Sequence, residues 1–169
     1  MTPFDKALAV TLAHEGGVSD HAADRGGLTK WGVTQATYET WRASTGQAPR
    51  PVVEMTEAEM RAIYLDLYWM PARCDELPDE LAGVVFDMAV NSGVRRAVIT
   101  LQRVLGVTQD GIPGPETISA AHEAGPMVAL TFLKARAALY RDIVRNDPTQ
   151  IAFLAGWVAR LLDLAWRRS

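Results

Sequence analysis

Two carboxylates and a hydroxyl stand close together near the start of this 169-residue chain: Glu15, Asp24 and Thr29, separated by eight and four residues. Cleaving a glycosidic bond needs a carboxylic acid that keeps its proton for the leaving oxygen, and usually a second carboxylate that orients water or stabilises the oxocarbenium-like transition state. Gly16-Gly17 stops the helix that Glu15 would end, and packing of that end against apolar neighbours would disfavour its charged form. Asp24, before Arg25-Gly26-Gly27, sits in a polar loop that keeps it ionised. Environments that push two carboxylates apart mark an acid and its helper. Asp24 can equally cap a turn, and Thr29 can serve the loop backbone instead of holding water.

Other chemistries fit worse. His14-Glu15 begins like a zinc-protease helix, but position 18 is Val18, and Gly16 and Gly17 end the helix before a second ligand. His21 and His122 have no partners at ligand spacing, so no metal and no cofactor are expected. There is no glycine-flanked serine elbow. Cys74, the single cysteine, follows Arg73 without a recognisable histidine partner and reads as a buried thiol.

The elements that must position these residues are helical. Thr2-Pro3 offers a cap and first-turn proline, and Phe4, Leu8 and Leu12 recur every fourth residue up to Gly16. Residues 18–32 read as a structured loop or small hairpin. Thr34 caps a helix to about Ser44, and Thr56-Glu57-Ala58-Glu59 is a capping box, with Met55 and Met60 as its staple, opening a helix that ends before Pro71. Further helices are expected over 79–92, closed by Gly93, and 95–105, closed by Gly106. After turns at Asp110-Gly111 and Gly114-Pro115 come helices over 115–123, 126–146 and 148–167. The spacing of Asp87 and Asn91 puts them on one helix face. There Asn91 can hydrogen-bond substrate, brace the acid or simply help end the helix.

Composition sets the limits. At 49% hydrophobic residues the chain can bury one substantial core, so 1–169 reads as a single compact domain. A net charge of −3 argues against unspecific nucleic-acid binding. Residues 134–169 hold seven basic residues against three acidic ones, read as a solvated helical face before an anion-binding patch. The N-terminal residues lack a basic start followed by an apolar stretch, and no segment reaches 18 uncharged apolar residues. A protein made in the cytoplasm and not inserted in a membrane is expected. Trp31, Tyr38, Trp41, Tyr68 and Trp69 are candidates for a sugar groove or for the core, with Trp31, beside the carboxylates, the first choice for the groove.

Taken together, Glu15, Asp24 and Thr29 resemble the glutamate, aspartate and threonine triad of phage-type lysozymes, whose last interval is usually one residue longer. The fuller string, His14-Glu15-Gly16-Gly17 through Asp24-Arg25-Gly26-Gly27 and Thr29-Lys30-Trp31-Gly32-Val33-Thr34, more closely resembles the glycoside hydrolase 108 N-acetylmuramidases, found among phage endolysins and bacterial secretion activators. Phe86-Asp87-Met88-Ala89-Val90-Asn91-Ser92-Gly93 resembles that family's central helix. Leu101-Gln102, Leu105-Gly106, Asp110-Gly111, Gly114 and Thr117 resemble its predicted peptidoglycan-binding region. The glycines of that last string serve helix ends and tight turns whatever else they do.

The resemblance implies a mainly α, lysozyme-like fold, with a small loop or β-hairpin after the first helix. Residues 1–93 would form the catalytic region, and 94–169 a helical region carrying the wall-binding segment. It implies hydrolysis of the β-1,4 bond between N-acetylmuramic acid and N-acetylglucosamine, with Glu15 as acid, Asp24 and Thr29 as partners, and Trp31, Asp87 and Asn91 toward substrate. Bacterial peptidoglycan is the expected partner, reached through a holin-like pore or on lysis by a monomer. A lytic transglycosylase and a non-catalytic wall-binding or secretion-promoting module are the alternatives.

Overall fold

The structure, a computed structural model, describes residues 1–15 and 29–167, with Glu15 described through its backbone. Helix α1 (Pro3–Glu15) opens on Thr2, whose hydroxyl accepts from the Asp5 amide at 3.1 Å, while the Asp5 carboxylate accepts from the Thr2 amide at 2.9 Å. Two strands, β1 (Thr29–Lys30) and β2 (Val33–Thr34), form an antiparallel hairpin with Thr29 opposite Thr34 and Lys30 opposite Val33. Residues 16–28, the larger part of the expected loop, lie outside the described residues.

Thr34 ends β2 and caps α2 (Gln35–Ser44), accepting from the Thr37 amide at 3.1 Å. Helix α3 (Glu57–Tyr64) begins with the expected reciprocal capping box of Thr56 and Glu59, and Met55 and Met60 are both buried beside it. It does not run as α-helix to Pro71. Residues Leu65–Trp69 widen into a π-helical turn in which the Met70 amide reaches back to the Leu65 carbonyl at 2.9 Å. That turn keeps Trp69 in the core.

Helix α4 (Asp79–Ser92) is the centre of the molecule. Leu81, Ala82 and every residue of 84–89 are buried, so it is enclosed on nearly all sides, by α1 and by α5 (Val94–Leu105) and α7 (Val128–Asn146). Phe86 carries much of this packing: its ring centroid lies 5.4 Å from Trp69, 5.8 Å from Phe4 and 6.3 Å from Tyr64, all edge-on. Edge-on contact sets the positive rim of one ring against the negative face of another. Gly93 joins α4 to α5 at φ +88° and ψ 145°, a region that residues with a Cβ essentially never occupy. A second glycine, Gly106, closes α5 in a left-handed conformation; the Val107 amide then bonds the Gln102 carbonyl at 3.1 Å.

Helix α6 (Pro115–Glu123) spans the expected residues. The last two begin later than their prolines suggest. Helix α7 starts at Val128, and Pro148–Gln150 makes one 3-10 turn, capped by Asp147, before α8 (Ile151–Trp166). One buried cluster runs from Phe4 of α1 to Leu164 of α8. Cys74 is buried in it, and burial pushes its thiol far up from its ordinary value, so it is an inert packing residue.

Candidate active site

The last turn of α1 is tied down at two points by residues on the turn itself. The Thr11 hydroxyl, fully buried, donates to Asp87 of α4 at 3.2 Å. His14 Nε2 lies 2.9 Å from a carboxylate oxygen of Asp163 on α8. Arg167, one turn further along α8, donates to the same carboxylate at 2.8 Å. That bond holds the Asp163 carboxyl below its ordinary value against the opposing effect of burial, and the His14 bond adds to it. Glu15 is the next residue of the chain, at the end of the helix. Its backbone position is therefore fixed from α4 and α8 as well as from within α1.

Asp87 is itself the hub of a buried ionic network. Arg136 of α7 donates to one oxygen at 2.5 Å, and Arg160 of α8 donates through Nε at 3.0 Å to both oxygens and through a terminal nitrogen at 2.8 Å. Asp87 and Arg136 are 0% exposed and Arg160 6%. Burial pushes the Asp87 carboxyl upward, but the bonds and charges of Arg160 and Arg136 outweigh it, so Asp87 stays ionised and below its ordinary value. The other two nitrogens of Arg136 also have partners: Nε bonds the Tyr140 hydroxyl at 2.7 Å and a terminal nitrogen reaches Asn91 Oδ1 at 3.2 Å. Tyr140 donates to Asn91 Oδ1 at 2.9 Å. Burial raises the Tyr140 hydroxyl above its usual range, which keeps it a donor.

This network corrects two expectations. Asp87 was expected to face substrate, but it has no solvent-exposed surface; it is a strut that joins α1, α4, α7 and α8. Two of the seven basic residues of 134–169, Arg136 and Arg160, belong to the interior and not to a solvated face. The sequence did contain a signal. Arg160 and Asp163 are the only charged residues within Ile151-Ala152-Phe153-Leu154-Ala155-Gly156-Trp157-Val158-Ala159-Arg160-Leu161-Leu162-Asp163-Leu164-Ala165-Trp166, and a charge in so apolar a helix either faces outward or needs a buried counter-ion. Asn91, by contrast, is exposed at the edge of the network.

The hairpin supplies the other described candidates. Trp31 and Gly32, at φ +50° and +75°, make its two-residue turn, and such positive values are strained for a residue as bulky as tryptophan. The turn is held from outside: Tyr64 donates to the Trp31 carbonyl at 2.8 Å, and Lys30 Nζ donates to the carbonyls of Val53 at 2.7 Å and Met55 at 2.9 Å. Lys30 Nζ also lies 4.5 Å from the centroid of the Trp31 ring, which is half-buried. Thr29 is half-buried on β1. Asp24 lies outside the described residues. The structure thus brings Thr29 and Trp31 together in the hairpin and Asp87 and Asn91 together in the network.

Among the other aromatic candidates, Tyr38, Trp41 and Trp69 are core residues and only Tyr68 is half-buried. In the 101–117 string, Gln102 explains much of the spacing. Buried at 1% exposure, its amide nitrogen donates to Asp110 at 2.7 Å, to the Ile112 carbonyl at 3.0 Å and to Thr117 at 3.3 Å; its oxygen accepts from the Gly111 amide at 2.9 Å. These residues form a clamp that shapes the 107–114 loop.

Residues 8–93 match the model of the family described as Glycosyl hydrolase 108, and residues 96–162 match a Predicted Peptidoglycan domain. Comparison with curated proteins finds no match. Among solved structures, SagA of Brucella abortus is similar over 98% of this chain and 92% of its own, at 32% identity and a TM-score of 0.81. The chain that places Glu15 at an anchored helix end, with a peptidoglycan-domain match following directly, belongs to the glycosyl hydrolase 108 family and is a glycoside hydrolase acting on peptidoglycan.

Proposed function

We propose that the bond cleaved is the β-1,4 linkage between N-acetylmuramic acid and N-acetylglucosamine, with Glu15 as the general acid. The observation that carries this reading is the anchored end of α1, where Thr11 and His14 are bonded to Asp87 and Asp163 within one turn of Glu15. The C-terminal end of a helix carries partial negative charge, which disfavours an ionised carboxylate and favours a glutamic acid that retains its proton. Glu15 then donates that proton to the glycosidic oxygen as the C1–O bond breaks. Water adds at C1, oriented by Asp24 and Thr29, and a carboxylate of the pair takes its proton. Trp31, on its strained turn, lies toward the sugar; Asn91 positions; Asp87 acts only through the helix end it holds.

Action as a phage-type endolysin that reaches the wall through a holin-like pore or on lysis, as a monomer, completes the proposal. Among the described residues no helix is long and apolar enough to cross a membrane.

Glu15→Gln tests the assignment directly. Soluble dye should be released from labelled sacculi by the parent and not by the variant, at an unchanged melting temperature, and mass spectrometry of the parent's products should show reducing muramic acid ends. Undiminished release by Glu15→Gln would remove Glu15 as the acid; 1,6-anhydro ends would make the reaction a transglycosylation.

A further inference from the structure

A groove of about 910 Å³ runs beside the end of α1, and both matched regions line it. Ala13 and His14, immediately before Glu15, and Asn91 form one wall; α8 forms the other, with Phe153, Trp157 and Gly156 facing the space. We propose that this groove binds the N-acetylated glycan strand of peptidoglycan, with the Phe153–Trp157 ring pair as a stacking platform for one of its sugars and Asn91 as a donor to an acetamido or hydroxyl oxygen. The proposal rests on the peptidoglycan hydrolase reading and adds the site that places the strand.

Three independent features support it. First, Trp157 lies nearly parallel to Tyr140, with centroids 4.8 Å apart and planes at 22°, and Phe153 continues the stack at 6.1 Å and 27°. The buried network holds the base of that stack through the Tyr140 hydroxyl, while Phe153 at its outer end is 57% exposed. A flat, rigid aromatic face left in water at a groove suits the apolar face of a pyranose ring. Second, Gly156 stands mid-helix, where glycine costs about 1 kcal/mol relative to alanine, yet a Cβ there would meet nothing within 4 Å. Its lack of a side chain relieves no clash in the fold; what it leaves open is the groove. Third, the bonds to Asn91 Oδ1 come from the donors Arg136, Tyr140 and Ser92, which fixes the amide's orientation and leaves its two N–H groups for a ligand.

Binding is separated from chemistry by working in the Glu15→Gln chain, with amidase-treated, uncross-linked glycan strands as the probe and tryptophan fluorescence and calorimetry as readouts. Phe153→Ala and Phe153→Leu, the latter keeping apolar bulk without the flat face, should each weaken binding about tenfold, the equivalent of one stacked ring. Gly156→Phe should abolish binding by filling the groove, at a melting temperature that shows the chain still folded. With Glu15 restored, Phe153→Ala should raise KM while kcat falls little. The proposal is overturned if Phe153→Leu and Gly156→Phe, both folded by melting temperature, bind strands as tightly as the Glu15→Gln parent. Continued hydrolysis by Glu15→Gln would instead refute the acid assignment and leave the groove result standing.

Discussion

Replacing Asp87 by asparagine tests whether the buried network holds the molecule together. The substitution keeps the side chain's size but removes the carboxylate that bridges Arg136 and Arg160, which are 0% and 6% exposed. The two buried guanidinium groups then lose the charge they share, and the new amide presents N–H donors to groups that are donors themselves. Breaking a buried pair in this way costs about 3–5 kcal/mol, a large part of the roughly 5–15 kcal/mol that stabilises an ordinary domain. At about 2–4 °C per kcal/mol for a chain of this size, the melting temperature should fall by about 6–20 °C in calorimetry at pH 7. The loss should shrink in acid. The Asp87 carboxyl lies below its ordinary value in the fold, so its contribution is complete above the unfolded value of about 3.9 and disappears as pH falls through the folded one. Parent and variant should therefore converge as the pH drops below about 4. The triple change Asp87→Leu, Arg136→Met, Arg160→Met removes the charges together and should be milder than Asp87→Asn alone. A fall of less than about 2 °C for Asp87→Asn at pH 7, or a pH-independent one, would refute the network's role.

Two further outcomes follow from the backbone and from the loop clamp. Gly93→Ala should destabilise by about 1–3 kcal/mol through backbone strain alone, since a Cβ at Gly93 meets nothing within 4 Å; Gly83→Ala, equally unobstructed but inside α4, should stabilise by up to about 1 kcal/mol, and urea titrations giving the same sign for both would defeat the conformational argument. Gln102→Leu should cost about 1–3 kcal/mol by removing the partner of the Gly111 amide and one of the donors to Asp110, with faster hydrogen exchange confined to 107–114; lost sacculus binding at unchanged stability would instead make Gln102 a wall-contact residue.

Local signals were the legible part of the sequence. Thr34, the Thr56–Glu59 box, Gly93 and Gly106 each satisfy groups within a few residues of themselves, so their chemistry is complete in a short string, and the structure uses each one as expected. The hairpin was legible as a possibility, and its Trp31–Gly32 turn occupies two positions that need positive φ. What spacing could not show was the partner of Asp87. Arg136 and Arg160 lie 49 and 73 residues away, and the apolar run around Arg160 says only that it faces outward or meets a counter-ion, not which counter-ion. The resemblance therefore singled out Asp87 and placed it toward substrate, whereas in the fold it is buried between Arg136 and Arg160. The same holds for Phe153 and Trp157, whose meeting with Ala13, His14 and Asn91 depends on how α8 packs.

The buried network accounts for why a hydrolase would keep such a costly arrangement at its centre. An apolar core of the same volume would be at least as stable, since desolvating charges offsets most of what pairing them gains. Apolar packing, however, is tolerant of small rotations and shifts, whereas Asp87 accepts four charge-assisted bonds from two helices and one from Thr11, each with its own direction. A helix end fixed in that manner can hold an acid to the fraction of an ångström that proton transfer to a bound sugar requires. The repacked triple variant separates these two effects. It should stay folded near the parent's melting temperature yet lose kcat on sacculi by about tenfold or more, because the last turn of α1 keeps its burial but loses its directional anchor at Thr11. Parent-like kcat in a stable triple variant would show that packing alone positions the end of α1, and that the network is not part of the catalytic design.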